Sequence, residues 1–506
     1  MGRRGFLGAA VGTASLALAG SATAYHDRYE EVVDIVEAGA DNTGEESITP
    51  VVEEVLAEHG DNLAIEFPEG TYLMDEQVYF TEFDRLALYG DDATIVPASA
   101  DEFEGPSRLF KLGTSDSPGG WLDFRNFTFD FTGDNTGLRA IQTQTEDFWI
   151  GDIDVVGRHD TGTWGPIHAD VLDSGAVALI SNVSIPDGGA YTTETDQDAS
   201  PTVDTGPTGI IVSPAHQGTL YVQNCEVGAF PDNGLYSSST AGTVHVEGGT
   251  FRNSNVANIR FDGDGSSVTG STIVVDENRE RDKNQRGIRL DEGQDTDIVD
   301  VDIEMPSATG EAIRLSGGGG DVTISGVEVT FDNEEGWEDV ISVDSDAGAA
   351  EIHDTTVRMD GGGQAIQIAS YTGGGEAPVE LHDVTITGDV SGADGGRHAI
   401  RCERALTVLD DVVVDQPGDA YRRAVVVTGP DCLISGGEYT STHHPLMIAG
   451  DHTEIESTTA RAYNGAEAIK LRDGTGSDIH DSVLYNGVVN YGADDVDDWD
   501  NEYPEA

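Results

Sequence analysis

From about residue 120 to 490 apolar and polar positions alternate in short runs. No run carries a helical period, and clusters of Gly, Asp and Asn separate them. One frame returns again and again: ANIRF (257–261), RGIRL (286–290), EAIRL (311–315), QAIQI (364–368), HAIRC (398–402) and EAIKL (467–471). Its inward hydrophobe falls at Ile210, Leu235, Ile259, Ile288, Ile313, Ile341, Ile366, Ile400, Val425, Leu446 and Ile469, a spacing of about 25 residues. A second β-patterned run follows each time, as in VHVEGGTF (244–251), VTISGVEV (322–329) and VELHDVTI (379–386). Two strands per repeat predict a coil whose neighbours stack in parallel about 4.8 Å apart. A propeller blade needs four strands in about 40 to 45 residues, so it does not fit. The expected class is all-β, a single-stranded right-handed parallel β-helix.

Residues 32–80 break the pattern and read strand, helix, strand. Thr49 is the expected cap, Pro50 the first helical position and Gly60 the stop, with Val51, Val52, Val55 and Leu56 on one apolar face. The GADNTG turn (39–44), this helix and the FPEGTY strand (67–72) resemble the entry module of the pectin-lyase-like superfamily of right-handed parallel β-helices. The resemblance implies a helix that caps one end of the solenoid and a carbohydrate ligand. It concerns the fold, because the NTD, DD, GHG and RIK set of polygalacturonases does not occur in order, nor does the RxPxxR pattern of pectate lyases. The expected boundaries are a signal at 1–24, cap and first coils at 25–119, and the β-helix at 120–490 with an insertion at about 157–208. An acidic tail at 491–506 completes the chain.

Strand alternation turns the residue between the two aliphatics of each frame to solvent. That outward column reads Ile211, Tyr236, Arg260, Arg289, Arg314, Ser342, Gln367, Arg401, Val426, Met447, Lys470, five of eleven of them basic. The enrichment stands out because the chain holds 26 Lys and Arg against 94 Asp and Glu, a formal charge of 26 − 94 = −68, and only three lysines. Two residues further along the same face come Asp262, Asp291, Ser316, Asp344 and Glu403. Two readings compete: a ladder of ion pairs that lets an acidic solenoid stack its charges, or a groove for an acidic polysaccharide, since guanidinium forks suit carboxylates.

Within the groove two chemistries are open. In β-elimination arginines would neutralise a uronate and Tyr236 or a basic group would take the proton. In hydrolysis Asp262 and Asp291, one coil apart, would have the spacing of a retaining pair, whereas Asp291 and Asp344, two coils apart, would sit near the inverting limit. The expected catalytic residues are therefore Tyr236, Asp262, Asp291 and Arg289. Arg260, Arg286, Arg314, Gln367, Arg401 and Lys470 are expected to bind substrate, with Trp164 as a stacking platform. The leading expectation is a lyase or glycosidase acting on an acidic polysaccharide. The alternative is a non-catalytic glycan-binding surface or matrix protein.

The remaining features bound the setting. MGRRGFLGAAVGTASLALAGSATA (1–24) resembles a twin-arginine export signal, which makes an extracellular, soluble protein the expectation. The dispersed acidic excess resembles the surface of proteins from extreme halophiles, argues against nucleic acid as a partner, and leaves Ca²⁺ as the one cofactor the composition suggests. No later segment has the apolar length of a membrane span, and a monomer is expected. Cys225, Cys402 and Cys432 fall at core positions of the repeat and read as buried small hydrophobes, with a Cys402–Cys432 bridge as the alternative. His159, Asp160, His168, Asp170 and Asp173 have the residue types of a metal site without a standard spacing, and read as loop.

Overall fold

The computed structural model describes residues 28–162, 164–195, 206–333, 338–389, 398–418 and 421–506. The export-signal reading of residues 1–24 lies outside them. The chain winds as a parallel β-solenoid, and almost every strand pairs with its equivalent in the coils before and after. In one coil the strands are Asn233–Ser237, Thr243–Glu247 and Thr250–Arg252; in the next they are Ala257–Phe261, Ser267–Thr269 and Thr272–Val274, each in parallel register with the one beneath.

From about residue 210 onward each coil therefore has three strands where the hydrophobic pattern suggests two, whereas Gly119–Asp130, Arg139–Val156 and Val177–Ile185 run through their corner residue as single strands. The second run turns at a left-handed corner, which splits it in the later coils: Asn126, Asp152, Asn182, Asn224, Gly248, Gly270, Asp300, Gly326, Asp354, Asp383, Asp411, Gly436, Ser457, Asp481 and Asp500 all have φ between 49° and 67°. Their amides donate to the coil above, as from Asp300 to Ser325 O and from Asp411 to Ser435 O, both at 2.9 Å. A side chain at positive φ is tolerated chiefly by Gly, Asn and Asp. The corner therefore explains much of the Asp and Gly at the turns, and it accounts for the two Asn-X-Ser/Thr sequons at Asn126 and Asn182 as backbone requirements.

The inward hydrophobes stack as expected: Ile259, Ile288, Ile313, Ile341, Ile366 and Ile400 are all 0% exposed. Toward the N-terminal end the interior becomes aromatic, with Phe110, Phe124, Phe127 and Phe129 at ring separations of 4.9 to 6.4 Å. The helix α1 (Thr49–His59) buries Val52, Val55 and Leu56 against this end. Its cap is Ile48, without a side-chain hydrogen bond, and not Thr49. Thr49 lies one position inside the helix, where its hydroxyl donates to Glu76 O at 3.1 Å. The solenoid continues past residue 490, because Asp497–Trp499 pairs on Asp478–His480. The three cysteines are free and buried, and burial pushes the Cys225 thiol up to about 12. No helix among the described residues is long and apolar enough to cross a membrane.

Candidate functional site

The outward column has the register expected of it. Ile211, Tyr236, Arg260, Arg289, Arg314, Ser342, Gln367, Arg401, Val426, Met447 and Lys470 pair rung upon rung. It also continues beyond that stretch, through His168, Gln142, Lys111 and Tyr79 at one end and Val489 at the other. The upstream rungs carry the same frame in RAIQ (139–142) and RLFK (108–111), a signal present in the sequence but read there only from residue 210 onward.

At the centre of the face the basic groups are engaged with carboxylates. Asp291 lies between two of them, 2.6 Å from Arg260 Nε and 2.6 Å from Arg289 Nε. Glu311 joins two more, 2.5 Å from Arg286 Nε and 3.4 Å from Arg314 Nη1, and Arg314 reaches Asp344 at 2.8 Å. Arg401 pairs with Glu403 at 2.5 Å, and Gln367 donates to the same carboxylate at 3.4 Å. Burial works against the Arg314 charge, but Asp344 and Glu311 outweigh it and its pKa moves up. Arg286 is 8% exposed at the strand's corner and is not a member of the outward column; burial moves its pKa down despite Glu311. Tyr236 lies under the Arg260 guanidinium, 4.7 Å from its ring centroid. Lys470 sits over the Tyr491 ring at 4.8 Å, eight rungs or roughly 38 Å from Arg260. Trp164 is exposed on the insertion.

A depression of about 350 Å³ opens in this central stretch. Its lining includes Asp262, Arg289, Asp291, Glu292, Arg314, Ser316, Asp344 and Asp346. The lining carries five carboxylates against two guanidinium groups, 2 − 5 = −3, so it is not by charge a receptor for a polyanion. Asp262 differs from its neighbours. It is 3% exposed, accepts hydrogen bonds from the Ser239 and Thr240 amides, and has its carboxyl pKa raised chiefly by burial. The register places Asp262 and Asp291 on adjacent rungs, because Phe261 and Leu290 are paired immediately before them. The structure thus brings together Arg260, Asp262, Arg289, Asp291 and Arg314. Gln367 and Arg401 form a separate pair further along, and Lys470 and Trp164 lie apart from both. Asn233, at the start of the strand that carries Tyr236, is fully buried.

The histidine and aspartate set at 159–173 is not gathered on one centre. The carboxylate of Asp160 accepts from the Asn135 and Gly137 amides, and Asp170 is fully buried among His168, Gln144 and Ser213. A group that could hold a metal lies instead on the second strand of the C-terminal coils. One ligand atom from each of Glu454, Glu456 and His480 falls within 4.8 Å of the others. Nδ1 of His480 faces Asp481 at 3.1 Å, which leaves Nε2 directed at the two glutamates. An imidazole in such a set suits zinc or manganese better than Ca²⁺. The Glu-x-Glu pair and a histidine one coil later were the available sequence signal.

No protein-family model matches the sequence, and no curated protein matches it. Among solved structures, the chain is similar to the surface protein and adhesin PfbA of Streptococcus pneumoniae, at 14% identity and a TM-score of 0.37, with 93% of this chain and 99% of that one covered. It is also similar to a mutant tailspike protein of the E. coli bacteriophage HK620 in complex with a pentasaccharide (10% identity, TM-score 0.40, 93% and 79% covered). A third similar structure is the gene product 12 N-terminal fragment of bacteriophage Phi29 (11%, 0.44, 93% and 91%). These likenesses are too distant to transfer a function.

Proposed function

We propose that the protein is a secreted, carbohydrate-active solenoid that lays a polysaccharide along its polar face and hydrolyses a glycosidic bond in the depression at Asp262. The observation that carries this reading is the unequal pair on adjacent rungs: a buried carboxyl whose pKa is raised, beside a carboxylate held by two guanidinium groups. Environments that separate two carboxyl groups in this way suit a general acid and a nucleophile. One rung, about 4.8 Å, suits the retaining class, whose carboxyl groups lie about 5 Å apart. Asp262 would protonate the leaving oxygen and Asp291 would attack the anomeric carbon, with Arg289 and Arg260 fixing its orientation. β-Elimination has less support, because Arg289 and Arg314 already hold carboxylates of the protein and Tyr236 lies outside the lining of the depression.

A second reading is glycan binding without turnover, since the central arginines already pair with the protein's own carboxylates and are not free to act in a reaction. The two readings separate on one experiment. The chain is incubated in molar NaCl with a panel of neutral and acidic polysaccharides, and reducing ends and absorbance near 235 nm are followed. Hydrolysis predicts reducing ends without 235 nm absorbance, and Asp262→Asn should lower the rate by at least about a hundredfold while retention on the polymer persists. Retention without product across the panel establishes the binding reading. Neither retention nor product would sink both.

A further inference from the structure

The corner position three residues before each column residue is occupied by arginine in four of the stacked coils, at Arg108, Arg139, Arg286 and Arg423, and the centre and the N-terminal end of the face treat it differently. At Arg286 the next coil supplies Glu311, 2.5 Å away. At Arg108 and Arg139, which are paired directly on one another, it supplies no acid. Arg108 Nη1 donates to Gln142 Oε1 at 2.6 Å. Arg139 Nη1 shares that neutral acceptor at 3.0 Å, and its Nε reaches the Gly165 carbonyl at 3.3 Å. Of ten guanidinium N–H groups, three are thus used, and the remainder find no protein acceptor among the described residues. Lys111 stands beside them on the column with its ammonium 5.3 Å from the Tyr79 ring centroid. None of the three cations has a carboxylate at ion-pair distance among the described residues. The acid that acts on Arg139 is Asp170, whose oxygens are taken by Gln144, His168 and Ser213.

In a chain with 94 acidic and 26 basic residues, three adjacent cations without a paired acid are not a by-product of composition. Arg139 is 7% exposed, and a buried charge left unneutralised is costly unless something supplies the counter-charge. The strain shows in all three groups: burial depresses the Arg108 and Lys111 pKa values, and that of Arg139 falls to about 9. The neighbourhood suits a sugar. Tyr79 is 50% exposed next to Lys111, and the carbonyl that meets Arg139 belongs to Gly165, next to the exposed Trp164.

We infer that Arg108, Lys111 and Arg139 form an anion subsite that receives a carboxylate or sulfate group carried by a glycan. It rests on the reading of this face as a polysaccharide track and places the acidic-substituent recognition at its N-terminal end, not in the carboxylate-lined depression. Arg108 and Arg139 keep unused guanidinium N–H groups for contact with an anion, and Lys111 adds a point charge.

Isothermal titration of the full chain, at one fixed chloride concentration, tests it with four probes: an oligogalacturonate, a sulfated oligosaccharide, a neutral oligogalactoside and inorganic sulfate. Lys111→Gln and Arg139→Gln should each weaken one or both acidic oligosaccharides by at least tenfold and leave the neutral one unchanged, and Arg358→Gln, on another face, should change nothing. Sulfate or oligogalacturonate should also raise the melting midpoint of the wild type more than that of Arg139→Gln. Lys111 is half-buried and tolerates substitution, so that variant decides the matter even where Arg139→Gln folds poorly. Equal binding of acidic oligosaccharides by Lys111→Gln and Arg358→Gln overturns the inference, and so does binding of inorganic sulfate alone. If neutral and acidic oligosaccharides bind alike and only the depression variants weaken them, the polysaccharide track survives and this subsite does not.

Discussion

At the scale of single residues, the solenoid shows how one residue type is assigned opposite duties by its rung. Arg289 and Arg314 lie half-buried on outward strand positions and hold carboxylates. Arg404, 1% exposed, instead donates to the carbonyls of Ala347, Gly348, Ala369 and Asp344 and ties turns together. Histidines on the second strand are equally specific. His382 faces Glu380 through Nε2 and Asp410 through Nδ1, both at 3.2 Å; burial opposes its charge, and these two acids outweigh it to raise the pKa. Because the folded value lies above the unfolded one of about 6.5, the stabilisation is fully present below about pH 6.5 and is lost as pH rises through the folded value. His382→Gln should therefore lower the melting midpoint at about pH 6 and have little effect at about pH 9. The difference should correspond to at most about 1 kcal/mol because the group is partly exposed. A midpoint difference that does not vary with pH would show that the pairing contributes nothing.

At the scale of the coil, the decisive element is the left-handed corner. In the coils from about residue 210 onward it converts one β-patterned run into two short strands. Asp383 has φ 52° and its amide donates to Asp410 O at 3.2 Å. Asp383→Gly should be tolerated within about 0.5 kcal/mol, since Gly326 and Gly436 occupy the same corner in other coils. Asp383→Val should cost about 1 to 2 kcal/mol, because a β-branched side chain clashes with the backbone in that conformation. Chemical denaturation of the two variants measures the contrast. Equal loss in both would mean that the aspartate side chain, and not the backbone, is what the corner requires.

For the whole molecule the corner aspartates have a further consequence. Asp354, Asp383 and Asp411 stand in consecutive coils, so part of the −68 charge is stacked at the spacing of the strands and not dispersed over the surface. Self-repulsion of such columns is screened by salt, since the Debye length falls from about 10 Å at 0.1 M to about 3 Å at 1 M. The melting midpoint should climb steeply between about 0.1 M and 2 M NaCl. A midpoint independent of salt would defeat the proposal that the acidic surface is an adaptation to brine.

The period of the chain and the alternation within each strand were sufficient to specify the solenoid, the inward isoleucine stack and the outward column. Both follow from local geometry repeated, in which a residue's face depends only on its place in its own strand. Arg260, Arg289, Arg314 and Lys470 were legible for that reason. What those side chains touch was not. Whether Arg289 meets Asp291 or a ligand, whether Arg286 finds Glu311 across one rung while Arg139 finds only Gln142, and whether Asp262 is buried beneath Ser239 depend on which coil lies above and how each turn closes. Neighbours in adjacent coils are 19 to 43 residues apart in sequence but about 4.8 Å apart in space, so their charges pair, or fail to pair, only once the stacking register and the turns are in place.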